Sequence, residues 1–356
     1  MKPGILFADP HGQTAKLLTG ALGPVEDRVV YLDFASKSPV VAFNAFAGVA
    51  VDDDLGDLAA NFVQIFGSIL GTEGFKRIEH FLYNGLYGLF AIGRNLATLE
   101  VLFSPSTEGA ALRSQIIAAV RHEPVRRFFL EEYKTHSLGE FAPIQNRFSR
   151  LFDEQAYRLF NQHENKVDFS SFMEHGKIVI VALPSNWESA RILGGFIIGL
   201  IKHLAMRRPV TAPKFFLMVD EFPRFGGAAF HEILDQTTKG RLSLWLAHQT
   251  TSQVPSELSK TIQGIDTFVF GVNPSDAKLY SGIFGEKVSA KTLNTLKIGS
   301  VYARLGGDDV VNFESPRPLV FDPLVAARVL AASHSRYYSV PAPVVLPRRS
   351  REIETI

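Results

Sequence analysis

The sequence predicts an α/β fold in which a parallel sheet with flanking helices is interrupted by an all-helical block. Two observations support this prediction. In the first and last parts of the chain, short apolar runs bounded by glycine, proline or polar residues alternate with helical patterns. Between them, residues 74–175 carry apolar residues at three- and four-residue spacing, with few strand-like runs. Strands that alternate with helices imply βαβ units, and such units build a parallel sheet.

The short apolar runs are the predicted strands. They are Gly4 to Ala8, Val29 to Leu32, Lys177 to Pro184, Phe215 to Val219, Leu242 to His248, Asp266 to Val272 and Ser300 to Leu305. Helices are predicted between the later strands, notably at Glu188 to Arg207 and Phe230 to Thr238. The predicted domains are an α/β core of residues 1–73 and 176–330, a helical insertion of residues 74–175, and a tail of residues 331–356.

Composition allows a large core and excludes several kinds of chemistry. Of 356 residues, 46% are hydrophobic, enough for two domains or for one large α/β domain with an insertion. Cysteine is absent, which excludes disulfides, thiolate zinc sites and cysteine nucleophiles. The net charge of +1 does not indicate a nucleic-acid partner. It does not exclude one either, because a protein whose basic groups are confined to a pore would also have a small net charge. The longest uncharged apolar stretches are shorter than the roughly 20 residues of a membrane helix, and no signal peptide is recognised, so a cytoplasmic protein is expected.

Two adjacent carboxylates follow one of the predicted strands. The apolar run Phe215 to Val219 leads directly into Asp220 and Glu221. Open α/β sheets bind ligands at the carboxyl ends of their strands. In nucleotide-hydrolysing proteins, an aspartate at a strand end holds Mg²⁺ and a neighbouring glutamate orients the attacking water. The alternative is that both residues simply cap the next helix or solvate a turn.

A polar side chain also follows the next predicted strand. That strand leads into His248, Gln249 and Thr250, which places Gln249 at the same edge of the sheet. Taken singly, Gln249 would be interpreted as a solvated loop residue. Together with the acidic pair it indicates a phosphate-binding edge, and we expect the side chains of Asp220, Glu221 and Gln249 to lie side by side.

These segments resemble a known family of ATPases. The stretch FFLMVDEFPRF followed by TTKGRLSLWLAHQTTSQVPSEL, together with the early ILFADPHG and the later DTFVFGVNPSDAKLYSGIFG, resembles the DNA-pumping ATPases of the HerA and FtsK superfamily. Within it, the chain is most similar to the type IV coupling proteins of bacterial conjugation. The resemblance covers most of the chain and rests on the order and spacing of segments that are individually weak.

The resemblance implies a fold, a function and partners. The fold would be a RecA-like P-loop NTPase core with a helical insertion, assembled as a hexameric ring. The function would be ATP-driven DNA translocation in conjugation or type IV secretion, with ATP and Mg²⁺ as cofactors. The implied partners are DNA, further copies of the chain, and relaxosome or secretion-channel proteins. Such a protein would be cytoplasmic or held at the inner membrane through partners.

The resemblance also implies roles for four residues. Asp220 would be the Walker B aspartate that holds Mg²⁺ through water, and Glu221 the catalytic glutamate. Gln249 would sense the γ-phosphate. Arg241 would reach the nucleotide site of the neighbouring subunit and stabilise the transition state. The alternative interpretation is that Arg241 is only an exposed charge that flanks a strand. In the helical block, several arginines could line a DNA path or only solvate helix faces, namely Arg94, Arg113, Arg126, Arg127, Arg147 and Arg150.

The sequence departs from the family at the phosphate-binding loop. No match to G-x-x-x-x-G-K-[ST] is present, although in relatives this loop comes just before the strand that corresponds to Gly4 to Ala8. Three explanations are open: the loop is encoded upstream of a fragment or an internal start, the chain is one half of a split motor, or it is a degenerate ATPase that serves as a DNA-binding or scaffold subunit. The retained acidic pair, arginine and glutamine argue against long degeneration.

Overall fold

The computed structural model describes residues 2–47, 55–70, 75–151, 154–184, 186–225, 230, 240–254, 258, 260–261, 264–307 and 309–341. Its strands are β1 (Gly4–Asp9), β2 (Val29–Asp33), β3 (Val40–Val41), β4 (Ile178–Ala182), β5 (Phe215–Val219), β6 (Leu242–Leu246), β7 (Thr267–Val269), β8 (Ser300–Leu305), β9 (Asp309–Glu314) and β10 (Tyr338–Ser339). The helices of its first half are α1 (Gln13–Ala21), α2 (Leu55–Leu70), α3 (Phe75–Ala91), α4 (Thr98–Leu102), α5 (Thr107–Ala119), α6 (Glu123–Leu130), α7 (Leu138–Leu151) and α8 (Glu154–Phe160). Those of its second half are α9 (Phe169–Glu174), α10 (Trp187–Met206), α11 (Pro274–Ile283), α12 (Ala290–Asn294) and α13 (Pro323–Tyr337).

The chain forms two compact units, which divide it at other residues than the predicted domains. Unit 1 comprises Met1–Leu32, Gln64–Ile69 and Phe169–Ala332. Unit 2 comprises Asp33–Val63, Leu70–Asp168 and Ser333–Ile356. The predicted helix at Phe230 to Thr238 lies, apart from Phe230, outside the described residues.

Unit 1 is built on a five-stranded sheet in the order β2-β4-β1-β5-β6. The neighbours β4, β1, β5 and β6 run parallel, as expected for strands joined by helical crossovers. β4 is buried at every position, and Leu6 of β1 and Leu217 of β5 are fully buried. Burial on both faces explains why β4 appears in the sequence as a continuous apolar run, whereas β1 and β5 are fully buried on one face and partly buried on the other. The prediction of a parallel sheet is confirmed for this part of the chain.

Two of the predicted strands belong to a different sheet, which corrects the expectation of a single parallel one. β7 pairs antiparallel with β8, and β8 pairs antiparallel with β9. β8 turns toward β9 through Gly306 and Gly307, whose φ values of 58° and 112° suit glycine. β9 is almost entirely exposed, which explains why no buried apolar run indicated it in the sequence.

The longest helix of unit 1, α10, is a core helix. By length and composition, Glu188–Met206 is the one helix among the described residues that could cross a membrane, and 78% of its apolar window is buried inside the protein. Its glycines allow a close approach to other elements. A Cβ at Gly194 would lie 2.5 Å from ring atoms of Phe225, which follows β5 in the chain. This contact packs the turn after β5 against α10.

Unit 2 contains helices α3 to α8 and a core of aromatic side chains. Phe141 of α7 lies 4.9 Å from Phe81, 5.3 Å from Phe103 and 4.9 Å from Tyr133, measured between ring centroids. Aromatic pairs at such distances pack favourably in offset or edge-on arrangements. Arg113 packs its guanidinium over Tyr133 and donates hydrogen bonds to two backbone carbonyls of the same unit, so it has a structural role there.

The contacts of the other arginines of the helical block do not decide whether these residues line a DNA path. Arg126 donates to the carbonyl of Ile117 at 3.3 Å, and Arg94 donates to Gln115 at 3.4 Å. The side chains of Arg147 and Arg150 lie outside the described residues. A DNA path along this block stays a prediction.

The start of the predicted tail is regular structure. Residues 331–337 continue α13, and β10 then pairs antiparallel with β3, Tyr338 standing opposite Val41. The hydroxyl of Tyr338 also accepts a hydrogen bond from the backbone N–H of Asp33 at 2.7 Å. Strands of two residues carry no recognisable pattern, so neither β3 nor β10 was predicted. The rest of the predicted tail, residues 342–356, lies outside the described residues.

Replacing Gly194 with alanine is expected to destabilise the protein, whereas Gly199→Ala in the same helix is expected to stabilise it. Each substitution gains about 1 kcal/mol of helix propensity. At Gly199 the new methyl group meets Ile65 Cδ1 at 3.8 Å, an ordinary contact. At Gly194 it overlaps Phe225, and overpacking of this kind costs about 1–3 kcal/mol. Urea unfolding measures the difference, and equal stabilities would contradict the packing of Phe225 against α10.

Candidate functional site

The candidate site lies at the carboxyl edge of the parallel sheet. Backbone hydrogen bonds continue just beyond the strands, from Asp220 N–H to the Ala8 carbonyl at 3.1 Å and from Ala247 N–H to the Val219 carbonyl at 3.0 Å. The residues that follow β1, β5 and β6 therefore emerge next to one another. This is the edge at which open α/β sheets bind ligands.

The acidic pair and the glutamine meet as predicted. Gln249 Nε2 donates a hydrogen bond to Glu221 Oε1 at 2.7 Å, and Asp220 Oδ1 accepts the backbone N–H of Glu221 at 3.0 Å. The expectation that these three residues lie side by side is confirmed. Their catalytic roles stay a prediction.

Glu221 has two further partners, which the sequence did not indicate. His11 Nε2 lies 3.1 Å from Glu221 Oε1, the same oxygen that Gln249 contacts. Arg224 forms an ion pair through its Nε with the other oxygen, Oε2. The side chain of Glu221 is only 13% exposed, whereas its partners His11 and Arg224 are 49% and 38% exposed. Both oxygens of the carboxylate are thus engaged by protein donors.

The backbone at Glu221 adopts a strained conformation. Its φ of 46° lies in the left-handed region, which is unfavourable for a residue with a Cβ. The 3₁₀ turn Phe222–Phe225 follows at once, and both of its terminal phenylalanines are buried. Their burial holds the turn in place and with it the direction in which Glu221 leaves the sheet.

The environment of Asp220 makes its ionisation less favourable than that of an exposed carboxyl. Burial raises the pKa of Asp220, and the negative charges of Asp9 and Glu221 raise it further. The hydrogen bond from the Glu221 N–H and the proximity of His11 act in the opposite direction without cancelling the rise. A bound cation would remove this penalty, and oxygen donors of this kind suit Mg²⁺. Asp220 therefore fits the expected role of a Mg²⁺ ligand.

A metal bound here would depend on few protein ligands. Within the described ranges, no group of three or more histidine, aspartate and glutamate side chains is arranged to hold a metal ion. Mg²⁺ keeps several waters and is commonly bound through one or two carboxylates together with phosphate oxygens. Contact of Asp220 with the ion through water stays a prediction.

The turn after β1 is organised by Asp9. Its Oδ1 accepts the backbone N–H of His11 at 2.8 Å, and its Oδ2 accepts that of Ala15 at 2.8 Å. Gly12 completes the turn with a φ of 71°. Asp9 and His11 are thus parts of a hydrogen-bonded turn at the end of β1. The contact between His11 and Glu221 depends on the pairing of β1 with β5, so the local sequence does not reveal it.

Arg241 lies at the opposite edge of the sheet. It precedes β6 while Gln249 follows it, so the length of a five-residue strand, about 17 Å, separates the two edges. Its Nε donates to the Ala212 carbonyl at 3.1 Å, and its own carbonyl accepts the Phe215 N–H at 2.9 Å. The backbone φ of Arg241 is 55°. Within one chain, Arg241 therefore does not join Asp220 and Glu221.

Comparisons with known proteins identify the fold. No protein-family model and no curated protein matches the sequence. Among solved structures, plasmid coupling protein TrwB in complex with the ATP analogue ADPNP is similar at a TM-score of 0.64 and 15% identity, over 90% of this chain and 79% of that chain. VirB4 of Thermoanaerobacter pseudethanolicus is similar at a TM-score of 0.56 and 13% identity, over 89% of this chain and 82% of that chain.

The fold is that of TrwB and VirB4. A further TrwB structure, in complex with the GTP analogue GDPNP, matches at a TM-score of 0.56 and 13% identity over 90% of this chain and 88% of that chain. The predicted RecA-like α/β fold, with its likeness to conjugative coupling proteins, is confirmed. At these identities the likeness is one of fold alone.

The substitution Asp220→Asn is expected to stabilise the protein at neutral pH in metal-free buffer. The unfolded carboxyl ionises near its ordinary pKa of about 3.9, below the raised pKa of the folded form. Ionised Asp220 therefore disfavours folding above its folded pKa, and this penalty disappears as the pH falls below the unfolded pKa.

Melting temperatures measured from pH 7 down to about pH 3 test this prediction. The advantage of Asp220→Asn should shrink on acidification. Asp309→Asn, a substitution of an exposed aspartate in β9, is the control and should differ little from the parent at every pH. An advantage that is independent of pH would contradict the burial of a charge at Asp220.

Proposed function

We propose that this chain is a motor subunit that couples ATP hydrolysis to DNA translocation in conjugation or type IV secretion. The observation that carries the proposal is the contact between Gln249 and Glu221 beside Asp220, at the ligand-binding edge of a RecA-like sheet. The complexes of TrwB with ATP and GTP analogues support nucleotide binding at this fold. DNA as the translocated substrate rests on the resemblance to coupling proteins.

In this proposal each residue of the site has a separate task. Asp220 would hold Mg²⁺, which supplies charge neutralisation for the phosphates. Glu221 orients the attacking water and accepts its proton, and Gln249 contacts the γ-phosphate. The carboxylate of Glu221 is engaged by Gln249, His11 and Arg224. Movement of Gln249 toward a phosphate would remove one of the two contacts of Glu221 Oε1 and leave the one to His11, so the freedom of Glu221 to bind water is linked to the presence of the nucleotide.

The proposal requires a phosphate-binding loop from residues outside this sequence, because no G-x-x-x-x-G-K-[ST] motif occurs within it. The loop would come from an upstream segment of the same polypeptide or from a second polypeptide. A second function, that of a DNA-binding or scaffold subunit without hydrolysis, is also consistent with the missing motif. ATP binding and DNA-stimulated hydrolysis, measured with and without a polypeptide that supplies the loop, distinguish the two functions.

The substitution Glu221→Gln is expected to reduce ATP turnover about 10²–10⁴-fold, the usual contribution of a general base. ATP affinity should be retained because the amide keeps the size of the side chain. Glu286→Gln is the matched control, since Glu286 also has a positive φ, 59°, and is exposed at a turn away from the site. Turnover at the parental rate in Glu221→Gln would remove Glu221 from the mechanism.

The substitution Arg241→Ala is expected to abolish hydrolysis only in the assembled ring, because Arg241 lies at the opposite sheet edge from its own acidic pair. Mixing Arg241→Ala subunits with Glu221→Gln subunits should restore part of the activity. Such mixed rings contain interfaces with an intact arginine facing an intact glutamate. Arg317→Ala, which removes an exposed arginine, is the control. If mixing restores nothing and Arg241→Ala also lowers the melting temperature, its bond to Ala212 is the main role of the residue.

A further inference from the structure

The segment from Asn273 to Asp276 takes no part in the proposed function, but it contains a buried carboxylate. Asp276, in the first turn of α11, is 5% exposed. Asn273 caps the helix through Oδ1, which accepts the Asp276 N–H at 2.9 Å, and its Nδ2 donates to Asp276 Oδ2 at 2.8 Å. A buried carboxylate is stable only when hydrogen bonds compensate its desolvation, so its other partners are informative.

Those partners belong to the loop that carries Gln249. The backbone N–H of Thr251 donates to Asp276 Oδ2 at 3.1 Å, and the Thr251 hydroxyl donates to Asp276 Oδ1. Burial opposes ionisation, but the hydrogen bonds from Thr251 and Asn273 outweigh it and lower the pKa of Asp276. The carboxylate is therefore charged at neutral pH and holds Thr251, two residues after Gln249, by two hydrogen bonds.

A second contact with α11 is made by His248, the residue before Gln249. Tyr280, one turn after Asp276 on the same face of α11, places its hydroxyl 3.2 Å from His248 Nε2. The His248 ring also meets Phe222, the residue after Glu221, edge to face at 5.7 Å between centroids. Gln249 thus lies between two residues, His248 and Thr251, that are both bound to α11.

We infer that Asp276 and Tyr280 are positioning residues that hold the exposed Gln249 amide in reach of Glu221. Gln249 itself is exposed, so its side chain is not fixed by burial. Its position depends on the backbone of the loop, and α11 fixes that backbone on both sides. The expected effect of Asp276 and Tyr280 on ATP turnover rests on the proposed function. Their expected effect on the order of the loop does not.

The test uses Asp276→Ala and Thr251→Val, with Asp276→Asn as the conservative variant. Hydrogen exchange of peptides covering residues 247–254 should accelerate about tenfold or more in Asp276→Ala, since bonds to a charged group are lost. Exchange in β5 should stay unchanged. Asp322→Ala is the matched control, because Asp322 caps the start of α13 through Leu324 N–H at 2.8 Å and does not contact this loop. Asp276→Asn, which keeps an oxygen acceptor for Thr251, should show a smaller effect.

Turnover provides the second measurement. Asp276→Ala should lower kcat about 10–100-fold, the size expected from misplacing a group by about 1 Å, with ATP affinity nearly unchanged. In a Gln249→Ala background the same substitution should have no further effect on kcat. Full additivity, or faster exchange throughout unit 1, would overturn the inference and leave Asp276 a purely structural residue.

The two measurements separate the inference from the proposed function. If the parent protein hydrolyses no ATP, the exchange measurement alone decides: local acceleration at residues 247–254 supports the positioning role, and its absence overturns it. If Asp276→Ala does not fold, Thr251→Val removes only the hydroxyl bond and gives the same comparison with a smaller expected change.

Discussion

The parallel register of β1, β5 and β6 is the constraint on which the candidate site depends. Ala8 stands opposite Val219, and Val219 stands opposite Leu246, so backbone hydrogen bonds fix the point at which each strand ends. A slip of one residue in either pairing would turn the following side chains to the other face of the sheet. Because Leu6 and Leu217 within these strands are fully buried, such a slip would also expose the core. The burial of these residues therefore favours the strand register on which the geometry of the site depends.

The backbone conformation of Glu221 and the environment of Asp220 are both locally unfavourable. A left-handed backbone at a residue with a Cβ costs on the order of 1–3 kcal/mol, and the neighbouring Asp220 carries a charge in a partly buried position. The burial of Phe222 and Phe225 against the core supports this turn. Natural proteins tolerate local strain of this kind where a side chain must point in one particular direction.

Strand β6 has two ends with different tasks in the proposed motor. Its carboxyl end carries Gln249, which would serve the nucleotide site of its own chain, and α11 contacts this end through Thr251 and His248. Its amino end carries Arg241, which does not join that site and whose Nε bonds the Ala212 carbonyl of its own chain. In a head-to-tail ring, opposite faces of successive subunits would meet, and the two ends of this strand would then serve different interfaces.

The sequence by itself determined the buried strands, the all-helical block and the carboxylate and amide residues at the sheet edge. Local patterns suffice for these features, because burial on both faces makes a strand continuously apolar and parallel strands end at a common edge. Only the tertiary structure decided that β7 and β8 form a separate antiparallel sheet, that His11 and Arg224 contact Glu221, and that Asp276 holds Thr251. The sheet partners of β7 and β8, and the contacts of His11 and Asp276, join residues far apart in the chain. Arg224 lies only three residues from Glu221, but it turns back onto the carboxylate because Phe222 and Phe225 are buried on either side of it. No local pattern of charge or hydrophobicity specifies which distant groups packing brings together.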